Sequence, residues 1–318
     1  MNVGILSSGI IAGAMARTLS AMEGAKCLAV ASRELEKARA FAHAHNIPRA
    51  YGSYDELIAD KDIELVYVAL PNTLHYEYTK RALEAGKPVL CEKPFTVTAA
   101  EAESLVAISR EKGVFLCEAM WTRFMPVVPM IRERLEKGRI GNIVSLQANL
   151  GYRLTHVERL VKHAYAGGAL LDLGVYPINF ARMYHSVPID EVISDAVLTD
   201  ERVDEQNSIL LRYRDGVTAN LYSTMLANTD RRGVIYGTNG YLAVDNINNP
   251  ARVDVYDGKC ALTETFFAPA QISGYEYQVE ASKKAIAAGK IECEELPHQE
   301  TLSIMRIVHK LRKSWGSI

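Results

Sequence analysis

The chain has 318 residues, of which 48% are hydrophobic, so it is long enough for two cores and has the apolar side chains to fill them. Its net charge of -2, with Lys and Arg scattered among Asp and Glu, lacks the basic stripe that holds phosphodiester backbones, so we expect no nucleic-acid partner. No apolar run approaches the roughly 20 residues that cross a bilayer, and the N-terminus enters a predicted strand without a cleavable leader. We therefore expect no membrane association and a cytoplasmic location.

The cysteines and histidines do not indicate a metal site. The five cysteines are far apart and form no CxxC pair: Cys27, Cys91, Cys117, Cys260 and Cys293. His43 and His45 form one His-x-His pair, but it lies on a polar helical stretch with no further ligand at suitable spacing. We expect free thiols or small core residues, a solvated helix face and no bound metal.

The first 118 residues alternate short apolar runs with helical periodicity, which is typical of a parallel sheet covered on both faces. Strands are predicted at Val3 to Leu6, Cys27 to Ala31, Leu65 to Leu70, Val89 to Cys91 and Val114 to Cys117. Helices are predicted at Ile10 to Ala21, Glu34 to His45, Leu74 to Ala85 and Ala99 to Lys112. Thr98, with Glu101 three residues later, predicts a capping box.

After about Trp121 the apolar runs become longer and alternate, which favours an antiparallel or mixed sheet. Strands are predicted at Ile143 to Asn149, Ser208 to Tyr213, Val217 to Tyr222, Gly233 to Tyr236 and Arg252 to Tyr256, and helices at Leu170 to Tyr184, Tyr275 to Ala288 and Gln299 to Trp315. The predicted fold class is α/β: a Rossmann dinucleotide-binding domain over residues 1–120, followed by an α+β domain over residues 121–318 with a large, open, mostly antiparallel sheet. The last helix is free to pack back on the first domain.

The first strand-turn-helix segment aligns with the dinucleotide fingerprint GxGxxG/A as Ser7, Gly9 and Ala12. The first glycine is missing, so Ser7 can make the turn only with negative or strained dihedrals. Gly9 still allows the backbone to approach a pyrophosphate, with the helix dipole behind it. The candidate cofactor-binding residues of this segment are Ser7, Ser8, Gly9, Ile10 and Ile11.

The end of the second strand has no acid to bind a ribose 2′-hydroxyl. Ser32, Arg33 and Lys37 instead form a cationic pocket suited to a 2′-phosphate, which favours NADP over NAD as the cofactor. An alternative is that Arg33 and Lys37 only pair with Glu34 and Glu36 on a solvated helix.

Glu92-Lys93-Pro94 places a cation at the end of an apolar strand, where a nucleotide-binding sheet would open. Lys93 can reach a ligand in that crevice; the alternative is a surface lysine in a turn. Pro71, Asn72 and His75 follow another strand and are predicted to border the same crevice, although Asn72 or Thr73 could simply cap the next helix.

Asp172 and Tyr176 are four residues apart in the long helix of the second half, so they share a face. Pro177 removes a helical hydrogen bond and predicts a distorted first turn. Hydride transfer requires a proton acid/base, and a free tyrosine with a pKa of about 10 is a poor base. An adjacent Lys93 ammonium could lower that pKa by roughly 1 to 3. The alternative is that Tyr176 only packs within the helix and that Asp172 interacts favourably with the positive end of the helix dipole.

With these motifs in place, the whole sequence resembles the glucose-fructose oxidoreductase, inositol dehydrogenase and rhizopine-catabolism (Gfo/Idh/MocA) family. The EKP motif, the PNxxH segment and the DxxxH/Y pair occur in order. The stretch from Glu118 to Phe124, with tyrosine at position 176 and serine at position 7, is most similar to the NADP-dependent dimeric dihydrodiol dehydrogenase branch, which also contains sugar dehydrogenases.

The resemblance implies roles for individual residues. Lys93 would lie beside the nicotinamide ribose, with a cis Lys93-Pro94 bond, and Tyr176 would be the acid/base. Trp121, Arg123 and Phe124 would line the junction of cofactor and substrate. The resemblance also implies that the open sheet pairs subunits into a homodimer or a dimer of dimers.

We therefore hypothesise an NADP-dependent oxidoreductase that acts on a ring secondary alcohol or carbonyl of a sugar or cyclic vicinal diol. Its catalytic residues would be Lys93, Tyr176 and Asp172. The substrate residues would be Trp121, Phe124, Tyr152, Asp172 and Tyr176; the cofactor would also contact Glu92, Trp121 and Arg123. Arg153, His156 and His163 are further pocket candidates, which capping or surface exposure explains equally well. The alternative function is a non-catalytic, nucleotide-bound sugar sensor that regulates a partner protein.

Overall fold

A parallel sheet of six strands forms the centre of the first of two units in the computed structural model, which describes all residues from 1 to 318. Unit 1 comprises residues 1–124 and 271–305, and unit 2 comprises residues 125–270 and 306–318. The strands of unit 1 are β1 (Asn2–Leu6), β2 (Lys26–Ala31), β3 (Arg49–Tyr51), β4 (Leu65–Val68), β5 (Val89–Glu92) and β6 (Leu116–Ala119). Five helices alternate with them: α1 (Ile10–Ala21), α2 (Leu35–His45), α3 (Tyr54–Ala59), α4 (Asn72–Glu84) and α5 (Ala99–Lys112).

The strand order of this sheet is β3-β2-β1-β4-β5-β6, and every neighbouring pair is parallel. This is the doubly wound Rossmann order, in which the order of the strands reverses between β1 and β4 and a crevice opens there beyond their carboxyl ends. The strands read as continuous apolar runs because both faces of the sheet are buried. The predicted Rossmann fold is confirmed.

Local signals in unit 1 also act as predicted. Thr98 and Glu101 form a reciprocal capping box at the start of α5, and Gly113 ends that helix in the left-handed conformation. β3 and α3 were not predicted because three residues and one and a half helical turns are too short to give a periodic signal. β6 begins at Leu116 rather than at Val114, because its pairing with β5 starts at Val89 and Leu116.

Unit 2 is built on an eight-stranded sheet. Its strands are β7 (Ile143–Gly151), β8 (Ile189–Leu198), β9 (Asp204–Tyr213), β10 (Thr218–Thr224), β11 (Gly233–Gly237), β12 (Gly240–Val244), β13 (Arg252–Asp257) and β14 (Leu262–Phe267). The order is β14-β13-β12-β11-β7-β10-β9-β8, and only β7 and β10 are parallel. The large, mostly antiparallel sheet is therefore confirmed.

One face of this sheet is covered by α8 (Val175–Tyr184) and by the π-helical turn over Leu170–Gly174 that precedes it. Unit 2 also contains α6 (Val127–Glu136) and the short α7 (Glu158–Val161). The packing is close: a Cβ on Gly174 would lie 2.9 Å from Ser223 Oγ of β10, and one on Gly233 of β11 would lie 2.5 Å from the Phe180 ring. Gly174 and Phe180 thus fix α8 and its first turn against the sheet.

Two helices follow the sheet in the chain: α9 (Glu276–Ala287) in unit 1, and α10 (His298–Trp315), whose residues are divided between the two units after Met305. Leu302 and Met305 belong to the apolar core of unit 1. The Trp315 indole, in unit 2, donates to Ser194 Oγ at 3.1 Å. No helix is both long enough and apolar enough to cross a bilayer.

Candidate active site

The turn between β1 and α1 has the backbone of a dinucleotide-binding loop although its first glycine is replaced. Ser7 has a φ of 128°, a conformation that strains any residue with a side chain. Its hydroxyl oxygen accepts a hydrogen bond from the Gly9 amide at 3.0 Å. Of the two conformations predicted for Ser7, the strained one occurs, and the serine supports the turn with its own side chain.

The N-terminus of α1 is open to an anion. Gly9 is the N-cap residue, no side chain caps the helix, and its first turn carries no acid. Ile10 is 91% exposed there. The unpaired amides and the positive end of the helix dipole favour a phosphate group at this point. The loop therefore fits the pyrophosphate of a dinucleotide.

The end of β2 presents the residues expected to select the cofactor. Ser32 is buried and Arg33 is exposed, with its guanidinium near the Tyr54 hydroxyl. Lys37 pairs with Glu34 at 2.7 Å, with both side chains 63% exposed. The alternative of a solvated ion pair thus describes Lys37, whereas Glu36 pairs with Arg39 and not with Arg33.

His75 connects two turns at the carboxyl edge of the sheet. α4 starts at Asn72 with Pro71 as its N-cap, so neither Asn72 nor Thr73 is the cap residue. The His75 ring is fully buried, with Nδ1 2.8 Å from the Pro94 carbonyl oxygen and Nε2 2.8 Å from that of Leu70. Burial lowers the pKa of His75, so the neutral ring is favoured. A neutral ring has one N–H, so His75 donates to one of these two carbonyls, and the ring lies buried between the turn after β4 and the turn after β5.

Lys93 follows directly on the last residue of β5, at the carboxyl edge where the sequence places it. The Lys93-Pro94 peptide is cis. The neighbouring Glu92 carboxylate is buried; it accepts from the Tyr67 hydroxyl and, at 3.2 Å, from the Lys93 amide. Burial raises the pKa of Glu92, and burial together with the Glu92 charge raises that of Tyr67 well above its usual value. The backbone under the ammonium is thus tied into a buried polar network.

The chain leaves β6 in a buried 3-10 turn, Trp121–Phe124. The Trp121 ring lies 4.8 Å from the Tyr275 ring, centroid to centroid. The Arg123 guanidinium donates to Glu300 Oε1 at 3.1 Å, and its side chain is only 4% exposed. Tyr275 and Glu300 are contributions from distant parts of the chain that no local pattern could reveal.

Asp172 and Tyr176 lie on either side of a change in helix type. The Val175 amide bonds to the Leu170 carbonyl five residues earlier, so Asp172 lies in a π-helical turn and Tyr176 in the first turn of α8. The distortion expected from Pro177 is confirmed. Both side chains are largely buried, with residue exposures of 8% and 7%.

Arg159 is a partner of Asp172 that the sequence analysis missed. Both of its terminal nitrogens lie 3.3 Å from Asp172 Oδ1. The Arg159 side chain is 49% exposed and that of Asp172 is 12% exposed. A guanidinium from the solvent-facing α7 thus reaches the carboxylate of Asp172, one of the three predicted catalytic residues.

Tyr152 follows β7 and is held by a polar cluster. Its hydroxyl oxygen accepts from Arg231 at 3.3 Å and from Asn248 at 3.2 Å. The pocket candidates Arg153, His156 and His163, in contrast, are exposed, in agreement with the alternative of surface residues. The role of Tyr152 as a substrate residue stays a prediction.

Known proteins match both halves of the chain. Residues 1–119 match the model of the GFO/IDH/MocA oxidoreductase family, NAD-binding Rossmann fold, and residues 128–243 match the GFO/IDH/MocA C-terminal domain. The trans-1,2-dihydrobenzene-1,2-diol dehydrogenase of Mus musculus is 34% identical, and the match covers 98% of this chain and 96% of the mouse protein. The chain belongs to the Gfo/Idh/MocA oxidoreductase family.

Other members of the family show the same similarity over the whole length. The enzyme of the same name from Bos taurus is 35% identical, with 98% of this chain and 96% of the bovine protein covered. The crystal structure of KijD10, a 3-ketoreductase from Actinomadura kijaniata, in complex with NADP and TDP-benzene matches with a TM-score of 0.89 at 29% identity, covering 98% of this chain and 97% of that one. The resemblance stated from the motifs is confirmed, and the chain is an oxidoreductase.

Within this Gfo/Idh/MocA member, the predicted site residues fall into two groups. Unit 1 carries the candidate cofactor residues, together with Trp121 and Phe124, and their segments follow adjacent strands of one sheet. Unit 2 carries Tyr152, Asp172 and Tyr176. No group of three or more His, Cys, Asp or Glu side chains is arranged to hold a metal ion, and all five cysteines are free thiols.

Proposed function

We propose that this protein is an NADP-dependent oxidoreductase that transfers a hydride between nicotinamide and a ring secondary alcohol or carbonyl of a sugar or cyclic vicinal diol. The observation that carries the proposal is Lys93, held on a turn with buried supports at the carboxyl edge of a Rossmann sheet. A lysine there reaches into the crevice where dinucleotides bind. The alternative, a surface lysine in a turn, would not require such supports.

The residues of unit 1 fit NADP. The uncapped α1 N-terminus would hold the pyrophosphate, and Ser32 with Arg33 would hold the 2′-phosphate, since no acid stands at the end of β2 to repel it. Bound NADP supplies the hydride acceptor or donor. KijD10 binds NADP according to its structure, which supports the same choice here.

Tyr176 is proposed as the acid/base. In the oxidation direction its phenolate oxygen takes the proton of the substrate hydroxyl as the hydride leaves the carbon; in reduction it returns that proton. The Lys93 ammonium would favour the phenolate by its charge. Asp172 would orient a substrate hydroxyl by accepting its hydrogen bond.

The substrate class follows from the chemistry of the relatives. The mouse and bovine enzymes are named for a cyclic trans-diol, and KijD10 is a 3-ketoreductase. In a cyclic diol the carbon that is oxidised is a secondary ring carbon that carries a hydroxyl group, and its neighbour also carries an oxygen. A sugar ring offers the same arrangement, so a sugar or a cyclic vicinal diol is the proposed substrate.

The deciding experiment replaces Tyr176 with Phe. We expect turnover to fall by roughly a hundredfold or more, because the proton transfer loses its acid/base, while NADP binding is kept. Tyr184→Phe, the same change at the other end of α8, is the matched control and should keep turnover within about twofold. Near-normal turnover of Tyr176→Phe would remove this residue from the mechanism.

The substrate is sought by following nicotinamide absorbance with a panel of sugars and cyclic diols, with NADP and NAD in parallel. Turnover with a sugar or diol and a preference for NADP is the expected result. Tight NADP binding with no absorbance change across the panel would instead favour the nucleotide-bound sugar sensor.

We also propose that the open face of the unit 2 sheet pairs subunits into a homodimer or a dimer of dimers. This face holds a cleft of about 590 Å³ whose lining includes Asn149, Tyr222 and Arg232, and Tyr236, Tyr241 and Tyr256 form a row on adjacent strands. Light scattering behind a sizing column should give a dimer or tetramer mass. A monomer at micromolar concentration would contradict the proposal.

A further inference from the structure

Buried side chains from neighbouring elements hold three consecutive backbone groups of the turn that carries Lys93. The Glu92 carboxylate accepts from the Lys93 amide at 3.2 Å, and His75 Nδ1 lies 2.8 Å from the Pro94 carbonyl oxygen. The third support is Glu118 of β6, whose buried carboxylate faces the Phe95 amide. The turn is thus fixed from β5, from α4 and from β6.

Glu118 is itself anchored on its other side. The Thr301 hydroxyl of α10 donates to Glu118 Oε2 at 3.1 Å. Glu118 is 3% exposed and Thr301 is 3% exposed, so water does not compete for this bond. The Phe95 ring is 1% exposed in the apolar core, which fixes the far end of the turn. Glu118 therefore joins the Lys93 turn to a helix of the same unit.

Burial destabilises the charged form of Glu118 at this position. Burial raises the pKa of Glu118 to about 7, against the opposing effects of Thr301, Arg123 and the Phe95 amide. The charged and titratable groups that face it are Arg123 of the 3-10 turn, Glu92 and Cys91 of β5, and the neighbouring Cys117. An apolar side chain would avoid this cost but would leave the buried Phe95 amide without an acceptor.

We propose that Glu118 is a positioning residue for Lys93: its carboxylate, anchored by Thr301, fixes the Phe95 amide and with it the turn that presents the ammonium. The inference rests on the proposed function, in which Lys93 acts on the substrate. It adds a residue that touches neither substrate nor cofactor. A displacement of the ammonium by about 1 Å is enough to reduce turnover by up to roughly a hundredfold.

The test compares Glu118→Ala with Glu118→Gln, which keeps an acceptor for the Phe95 amide. We expect kcat of Glu118→Ala to fall roughly 10- to 100-fold with the KM for NADP changed less than about threefold, and Glu118→Gln to stay within about threefold of wild type. Glu101→Ala is the matched control: it removes a carboxylate that caps the Val97 and Thr98 amides but does not touch residues 93–95. Its kcat should not change more than about twofold.

Hydrogen exchange resolved at the Phe95 amide, apart from the Val97 amide that Glu101 caps, reads the positioning without turnover. We expect the Phe95 amide to exchange at least tenfold faster in Glu118→Ala, and to stay protected in Glu118→Gln and Glu101→Ala. Thr301→Val, an isosteric change, serves if Glu118→Ala does not fold; it should loosen the same amide and reduce kcat about threefold. Unchanged exchange in Glu118→Ala or Thr301→Val overturns the inference. If the Phe95 amide exchanges faster in these variants but the wild-type protein turns over no substrate, the proposed function is wrong while Glu118 keeps its positioning role.

Discussion

Gly274 lies flat against the indole of Trp121: a Cβ at Gly274 would be 2.5 Å from Cζ3 of that ring. The loop is rigid, because the buried Glu276 carboxylate accepts from the amides of Ile272, Ser273 and Gly274 at 2.7, 3.0 and 2.7 Å. Gly274 also has a φ of 93°, which favours glycine. A glycine far away in the chain thus sets where the candidate substrate residue Trp121 lies.

Gly274→Ala should therefore displace Trp121. We expect a loss of about 1–3 kcal/mol of stability from the contact, added to the backbone strain of about 1 kcal/mol, and a lower kcat/KM. Gly289→Ala separates the two effects, since Gly289 has a φ of 68° and open space where its Cβ would be. Urea denaturation measures the loss of stability, and the change in tryptophan emission relative to wild type reports the displacement of Trp121. Equal losses in the two variants would show that the contact with Trp121 contributes nothing.

Ser7 combines two opposing contributions that substitution can separate. Its φ of 128° costs of order 1–3 kcal/mol, and its bond to the Gly9 amide at 3.0 Å returns about 1 kcal/mol. Ser7→Ala keeps the strain and loses the bond, so it should be destabilised by about 1 kcal/mol. Ser7→Gly loses the strain and the hydrogen bond, and it also makes the unfolded chain more flexible, which lowers stability. These effects largely cancel, so its stability should stay within about 1 kcal/mol of wild type. If the alanine variant is the more stable of the two, the serine is not strained.

The sequence could predict the parts of the site that depend on local pattern. Short apolar runs and the glycine or proline that follows them predict Lys93 at the end of β5 and the N-terminus of α1. The distortion near Pro177 follows from the backbone N–H that proline lacks. Arg159 and Gly274 could not be predicted, because their partners are distant in the chain and only packing brings them together. The edge strand β8 was missed because charged residues interrupt its alternation.

The buried acids give a pH dependence of stability whose direction is fixed. The pKa of Glu118 is raised to about 7 by burial, above the value of about 4.3 in the unfolded chain. Between these values the folded state binds more protons, so the stability that Glu118 contributes is fully present below about pH 4 and is lost as the pH rises through 7. Asp204 acts in the same direction, with its pKa raised to about 6.

Glu118→Gln removes the titrating group and keeps the shape of the side chain. Relative to wild type, it should gain stability of order 1–3 kcal/mol between pH 5 and pH 8, measured by urea denaturation at both values. The stability that Asp204→Asn gains relative to wild type should be complete by about pH 7, because the pKa of Asp204 in the wild type is about 6. Parallel stability curves for wild type and Glu118→Gln would mean that this carboxyl titrates in its usual range.

We expect cofactor choice to depend on Arg33 more than on Lys37, since the Lys37 ammonium is already paired with Glu34 in an exposed ion pair. A charge-assisted bond to a 2′-phosphate contributes about 1.5–3 kcal/mol, so Arg33→Ala should weaken NADP binding roughly 10- to 100-fold and leave NAD binding within about twofold. Lys37→Ala should have a smaller effect, and Arg39→Ala none, because Arg39 pairs with Glu36 one helical step away. The ratio of the two cofactor affinities, measured by titration for each variant, separates charge recognition from damage to the fold. A loss shared equally by NADP and NAD would make Arg33 a structural residue near Tyr54, and the preference for NADP would then need another cation.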